Sequence, residues 1–184
     1  MTRVFIGGSR SITRLNTDVR GRIDRIIEKG LPVVIGDANG ADRAVQAYLH
    51  QQGYGLVEVF CSDEAPRNNL GGWPIRMVAP DHRKRDFDYY ATKDRQMAQE
   101  ATVGLMLWDG DSRGTLLNVL RLVAHAKPAV VYVAPERAFE DIRSDRDFEK
   151  LEAKLDRATS RRLQEQALSE GLESHLERGS QLRL

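Results

Sequence analysis

An unbroken apolar run, Val103-Gly-Leu-Met-Leu-Trp108, leads directly into the polar turn Asp109-Gly110-Asp111-Ser112-Arg113-Gly114-Thr115. Leu116, Leu117, Leu120 and Val123 then recur at helical spacing. A strand that is apolar along its whole length is buried on both faces, and a strand passing straight into a helix is half of a parallel α/β unit. The turn leaves backbone N–H groups and a small positive field at the helix start, where a phosphate or another anion is well held. Gly110 and Gly114 admit close approach of a ligand, Ser112 and Thr115 add hydroxyl donors, and Arg113 adds a cation. The same residues also suit an ordinary strand-to-helix turn with Ser112 as the cap.

The rest of the chain repeats this alternation. Val4-Phe5-Ile6 is a short apolar strand ending in Gly7-Gly8-Ser9-Arg10-Ser11. Asn16 or Thr17 caps a helix with the stripe Val19, Ile23, Ile26 and Ile27, and Gly30 ends it. Pro32-Val-Val-Ile35 is a second buried strand, followed by Gly36-Asp37-Ala38-Asn39-Gly40-Ala41-Asp42 and a helix running to Gly53. Val57-Glu-Val-Phe60 is the third strand. Residues 62–74 form a long polar loop holding Trp73, and Ile75-Arg-Met-Val78 is a short fourth strand. The charged stretch at residues 80–88, including Arg83-Lys84-Arg85, reads as solvated, and a helix from about Tyr89 carries the chain to Val103. Pro128-Ala-Val-Val-Tyr-Val133 reads as the last strand.

This pattern predicts an α/β fold, a Rossmann-like parallel sheet flanked by helices, with a C-terminal helical extension. Residues 1–135 are expected to form the nucleotide-binding domain. Residues 136–184 are expected to form a charged helical extension, with Leu168, Leu172 and Leu176 as a narrow apolar stripe packing on the sheet domain or on a second subunit. Gly179 onward is expected to fray.

The chain has 184 residues and a net charge of +1, so no basic face for non-specific nucleic-acid binding is expected. Cys61 is the only cysteine, and the four histidines show no ligand spacing, so neither a disulfide framework nor a metal site is expected. No signal peptide or membrane-length apolar run is apparent, and the expected location is the cytoplasm. No cofactor is expected.

Three glycine-bearing turns follow three strands: Gly7 to Arg10, Gly36 to Asp42, and Asp109 to Thr115. In a parallel sheet such turns share one edge, and ligands bind there where the strand order reverses. An anionic ligand is expected, a nucleotide or nucleoside, held by Gly7, Gly8, Ser9, Arg10, Gly36, Gly40, Asp42, Arg95, Ser112, Arg113, Gly114 and Thr115.

Val4-Phe-Ile-Gly-Gly-Ser-Arg10, Gly36-Asp-Ala-Asn-Gly-Ala-Asp42, the helix ending in Met97, and Trp108-Asp-Gly-Asp-Ser-Arg-Gly-Thr115 together resemble the SLOG superfamily. That group includes the Lonely-Guy phosphoribohydrolases, the DNA-processing protein A domain and the YspA-like proteins. The YspA-like branch is the nearest match, since it pairs a Gly-Ala-Asp turn with a Ser-Arg-Gly-Thr turn. The resemblance spans roughly residues 3–134. It implies a Rossmann-like fold, a nucleotide-derived ligand and a homo-oligomer. Some members cut the bond between base and ribose phosphate, and others only sense a ligand.

The chain departs from the Lonely-Guy pattern at two positions, and Asp37 follows Gly36 where related proteins more often place glycine. Those enzymes carry a glutamate three residues after the turn threonine, where this chain has Asn118. Their catalytic arginine, four residues before a methionine, is matched here by Lys93 with Met97. Lysine keeps the charge and loses the bidentate fork. Cutting a glycosidic bond needs a carboxylate to steady an oxocarbenium-like centre or activate water, and a donor for the departing base. The candidates are Asp37, Asp109, Lys93 and Asp94. Each aspartate also suits a turn or cap role. Trp73 with Asn68 and Asn69 reads either as a lid over a base or as a loop packed on the core. The leading expectation is an N-glycosidic hydrolase acting on a purine nucleoside or nucleoside monophosphate. The alternative is a non-enzymatic sensor of a nucleotide-derived ligand. Single-stranded nucleic-acid binding is disfavoured by the neutral charge.

Overall fold

A computed structural model describes residues 2–80, 84 and 86–172. The chain alternates β1 (Val4–Gly8), α1 (Thr17–Glu28), β2 (Val33–Gly36), α2 (Ala41–Gln51) and β3 (Val57–Cys61). It then adds β4 (Ile75–Met77), α3 (Phe87–Glu100), β5 (Val103–Trp108), α4 (Arg113–Ala124) and β6 (Ala129–Val133). β7 (Ala138–Ile142), α5 (Asp145–Glu152) and α6 (Arg157–Ser169) complete it. The strands form one sheet of seven in the order β4-β3-β2-β1-β5-β6-β7. All neighbours are parallel except β6 and β7. The fold is α/β and Rossmann-like, as the alternation predicts.

The helices start where side chains can satisfy their free N–H groups. Asn16 accepts from Val19 N at the head of α1, and Asp86 accepts from Tyr89 N at the head of α3. Two apolar layers enclose the sheet. α1 and α2 cover Val4, Ile6, Val33, Ile35, Val57 and Val59 on one face. On the other, α3 to α6 cover Phe5, Val34, Phe60, Met106 and Trp108. α4 lies at the centre of that second layer, and every residue from Thr115 to Val123 is buried. A helix packed on several sides needs apolar residues around its circumference, not along one stripe.

Two readings of the sequence change, and the structure chooses between the two given for Trp73. Val133 does not end the sheet: the chain turns at Ala134–Arg137 and returns as β7, antiparallel to β6. β7 tolerates the polar pair Glu140 and Asp141 because an edge strand buries only part of its surface. The segment from Glu136 is therefore not helical throughout. In α6 the buried residues are Leu163 and Ala167, while Leu168 is 56% exposed. Gly171, at φ +71°, ends the helix, so Leu168 and Leu172 do not continue one stripe. Leu172 N donates to Ala167 O and Gly171 N to Leu168 O, the paired bonds of a Schellman turn, and Leu172 folds back onto the core. Trp73 is not a lid. It is buried, its Nε1 donates to Tyr54 O at 2.9 Å, and its ring meets His50 edge-on. Leu176, the segment from Gly179, and residues 81–83 and 85 of the charged stretch lie outside the described residues. Among the described residues no helix is long and apolar enough to cross a membrane.

Candidate functional site

The strand order reverses between β1 and β5, since the chain moves outward from β1 on one side and from β5 on the other. A cavity of about 660 Å³ opens there, at the carboxyl ends of these strands. This is where a doubly wound sheet leaves its natural crevice. Its walls combine the loop after β1, the inner face of α3 and the start of α4.

Gly8 lets β1 approach β5 and α2: a Cβ there would collide with Leu107 O and Ala41 Cβ. The chain then bends away, with Ser9 N donating to Leu107 O at 2.9 Å and Ala41 N donating to Ser9 O at 3.0 Å. Gly40, at φ +83°, sits against the Arg10 backbone with no room for a side chain. Gly40→Ala should therefore displace the Ser9–Ser11 loop and cost about 1–3 kcal/mol. Urea unfolding would measure the loss, and unchanged stability would mean that the loop has slack.

Asp109 joins two of the glycine turns. Its Oδ2 accepts from Ser9 Oγ and Ser11 Oγ, both at 2.6 Å, and its Oδ1 accepts from Asp111 N and Ser112 N. Burial alone would raise its proton affinity, but the bonds from Ser11, Ser9 and the two N–H groups outweigh it and hold the carboxyl below its ordinary range. Asp109 is a staple behind the cavity, not part of its lining.

Asp37 is also engaged. The 62–74 loop brings Arg67 to it, with Arg67 N, Nε and Nη2 donating at 3.0, 3.1 and 2.8 Å. Burial opposes its charge, but Arg67 and Lys93 keep it ionised. Asn68 Nδ2 donates to Asp37 O, fixing the loop further. Asp37 does not line the cavity, but Arg67 does.

Three carboxylates line the cavity, Asp42, Asp86 and Asp94, and Asp86 is the one that caps α3 through Tyr89 N. Lys93, 4% exposed, donates to Asp94 Oδ1 at 2.7 Å and lies 3.9 Å from Asp37 Oδ1. Gly36 places Asp42 beside it: a Cβ on Gly36 would strike both Asp42 Oδ2 and Lys93 Nζ. Asp42 and Asp94 respond in opposite directions. Burial, reinforced by the charges of Asp94 and Asp37, pushes Asp42 up to about 6 despite Lys93 and the N–H of Ala38. Asp94 is also desolvated, but Lys93, Arg121 and the Asn118 amide bring it below the ordinary range. Burial works against the Lys93 ammonium, and Asp94 and Asp42 more than restore it. One lysine thus sits among three carboxylates, and Asp42 is the one left holding a proton most readily.

On the wall formed by α4, that helix starts with Ser112 at the N-cap position, but its side chain makes no capping bond. Ser112 Oγ instead accepts from Thr115 Oγ1 at 3.0 Å, so the first-turn N–H groups remain available beside Ser112, Gly114 and Thr115. The mouth is flanked by Phe87 and Tyr90, one turn apart on α3. The Arg113 guanidinium lies 5.0 Å from the Phe87 ring, and those of Arg67 and Arg10 lie 4.7 and 6.0 Å from the Tyr90 ring.

Of the sequence-predicted ligand residues, Gly7, Gly8, Ser9, Arg10, Asp42, Ser112, Gly114 and Thr115 line the cavity, as do Lys93 and Asp94. Gly36, Gly40 and Arg113 stand directly behind lining residues. Arg95 points elsewhere, to Asp88 and Glu170. The face of α3 toward the cavity is Phe87, Tyr90, Ala91, Asp94 and Met97, and Arg95 lies off that helical phase. Sequence reasoning missed Arg67, Tyr90 and Phe87. The last two carry an i, i+3 signal, whereas Arg67 carried none, since only the folded loop brings it to Asp37.

No family model, no curated protein and no solved structure matches the chain. Fold and site geometry define it as a Rossmann-like α/β protein with a cleft at the topological switch point.

Proposed function

We propose that the chain is an N-glycosidic hydrolase of nucleoside monophosphates, a member of the SLOG superfamily and of its YspA-like branch. The observation that carries this reading is the carboxylate pair on the cavity wall whose proton affinities are pushed apart, Asp42 upward and Asp94 downward. Such a split is how one site keeps an acid and an ionised carboxylate together near neutral pH. The substrate phosphate sits on the first-turn N–H groups of α4 at Gly114 and Thr115. The ribose then faces the Asp42–Lys93–Asp94 end. Asp94 steadies positive charge at C1′ and takes a proton from the attacking water. Asp42 gives its proton to the departing base as the C1′–N bond breaks. This reading moves the chemistry from Asp37 and Asp109 to Asp42, because both of the former are saturated by other partners.

The test is a panel of purine and pyrimidine nucleosides and monophosphates, with free base separated by chromatography and the same panel read by thermal shift. Monophosphates should stabilise more than nucleosides, and base should appear. Gly114→Val fits the fold, since a Cβ there meets only the Phe87 edge at 3.8 Å. It should weaken monophosphate binding roughly ten- to hundredfold by crowding the N–H groups. Undiminished binding would place the phosphate elsewhere.

A sensor reading is favoured by one observation, the side-chain chain that ties Asn118 in the cleft to Glu170 at the end of α6. Tight nucleotide binding with no base released would put the sensor in place of the enzyme.

A further inference from the structure

Arg121 is a charged residue in α4, the most apolar of the described helices. It is 3% exposed, and all its neighbours along α4 from Thr115 to Val123 are buried. Desolvating a guanidinium is expensive, and an apolar residue of similar size would fill the space at lower cost. What Arg121 does can be read from its partners. Its Nε and Nη2 form a fork on Glu170, at 2.8 Å to Oε2 and 2.5 Å to Oε1. Its Nη1 donates to Asn118 Oδ1. Asn118 is one helical turn earlier, lines the cavity, and donates from Nδ2 to Asp94 Oδ2 at 3.3 Å. Glu170 is itself fixed: it is the C-cap of α6, held by the Schellman turn through Gly171 and Leu172.

The direction of each bond is set by chemistry. A guanidinium only donates, so the amide must turn its oxygen to Arg121 and its NH₂ to Asp94. The reversed amide would set two acceptors against each other at Asp94 and two donors at Arg121. The orientation is thus set by Arg121, which Glu170 of the C-terminal segment holds in place.

We infer that Glu170 and Arg121 are positioning residues of the cleft, locking the Asn118 amide so that it supports the Asp94 carboxylate. This rests on the reading of Asp94 as a working group of the site, and it makes α6 part of that site and not merely a cover on α4. The groups facing Asp94 are Lys93 beside it on α3, Asn118 and Arg121 from α4, and the carboxylates Asp42 and Asp37 behind Lys93. Freeing the amide removes a donor from Asp94, so its proton affinity rises.

The experiment uses the full chain with Glu170→Gln, Arg121→Lys and, as a control, Leu168→Ala on the exposed side of α6. The Asn118 side-chain amide signal is assigned by its loss in Asn118→Leu, and its hydrogen exchange is followed by NMR. Glu170→Gln should speed that exchange roughly tenfold or more, as the fork that fixes Arg121 is weakened. Arg121→Lys keeps a charge opposite Glu170 but cannot serve both partners. It should remain folded and still free the amide. Leu168→Ala should change neither. Where the parent releases base, both charge variants should lower kcat roughly ten- to hundredfold with little change in KM, and move the acid limb of the pH profile upward. A clamp that only fastens α6 would lower Tm and leave the Asn118 signal and the acid limb in place, which would overturn the inference. The amide signal decides this even if the parent releases no base. A responsive amide with no base released leaves the relay standing and removes the hydrolase.

Discussion

Lys93→Met should destabilise the folded chain by about 3–5 kcal/mol at pH 8, and by markedly less at pH 5. Methionine fills a similar volume, so the loss is electrostatic and not a cavity effect. Lys93 is buried, and its raised proton affinity means that its stabilisation is fully present below pH 10.5 and is lost only as pH rises through the higher folded value. Both test conditions lie well inside the range where the parent has it charged. Without it, Asp37 keeps Arg67, and Asp94 keeps the Asn118 amide and the field of Arg121. Asp42 keeps only one N–H, from Ala38, against the charges of Asp94 and Asp37. Its carboxylate then has only the weaker field of Arg67 to offset burial, and protonation in acid relieves it. The deficit should therefore shrink as pH falls. Urea unfolding of parent and variant at the two pH values measures it. An equal loss at pH 5 and pH 8 would mean that packing, not charge, is what Lys93 supplies.

The residues that define the fold could be read in advance because their signals are local. Val33–Gly36 and Val103–Trp108 are apolar throughout, which only a strand buried on both faces requires, and Gly8 precedes a bend that needs close backbone approach. β7 was hidden because an edge strand tolerates Glu140 and Asp141, so neither continuous burial nor strict alternation marks it. The end of α6 was legible at Gly171, which stops the helix one residue before Leu172. At the site, the turns were visible and the division of labour among the aspartates was not. Asp37, Asp42 and Asp109 each follow a strand or open a helix and look alike in sequence. What separates them is who arrives from a distance: Arg67 claims Asp37, Ser9 and Ser11 claim Asp109, and Asp42 is left with Lys93. A proton affinity is a property of those tertiary partners, and a local pattern does not encode it.

Asp42→Asn should abolish base release while making the protein more stable at neutral pH. The two effects share one cause. Asp42 is buried, and its proton affinity is raised from 3.8 to about 6. A carboxyl with a raised folded value stabilises the native state fully below the unfolded value, and that contribution disappears as pH rises through the folded one. The parent should therefore lose stability between about pH 4 and pH 6 and lose no more from this group above that. Two units correspond to a cost on the order of 3 kcal/mol for keeping the ionised group at its site. Asparagine never ionises, and its oxygen can still accept from Ala38 N, as Asp42 Oδ2 does at 3.1 Å. The variant should match the parent near pH 3.5 and exceed it by about 1–3 kcal/mol at pH 8. The same substitution removes the proton that the departing base needs, so base release should fall roughly a hundred- to ten-thousandfold. Asp94→Asn offers the contrast. It discards a carboxylate whose proton affinity is lowered, so it should lose both stability and activity at pH 8. Denaturation curves across pH, paired with single-turnover base release on the same samples, separate these outcomes. An Asp42→Asn protein that releases base at the parent rate would remove Asp42 from the chemistry. One that is less stable than the parent at pH 8 would mean that the carboxylate is held there by attraction to Lys93, and not strained for use.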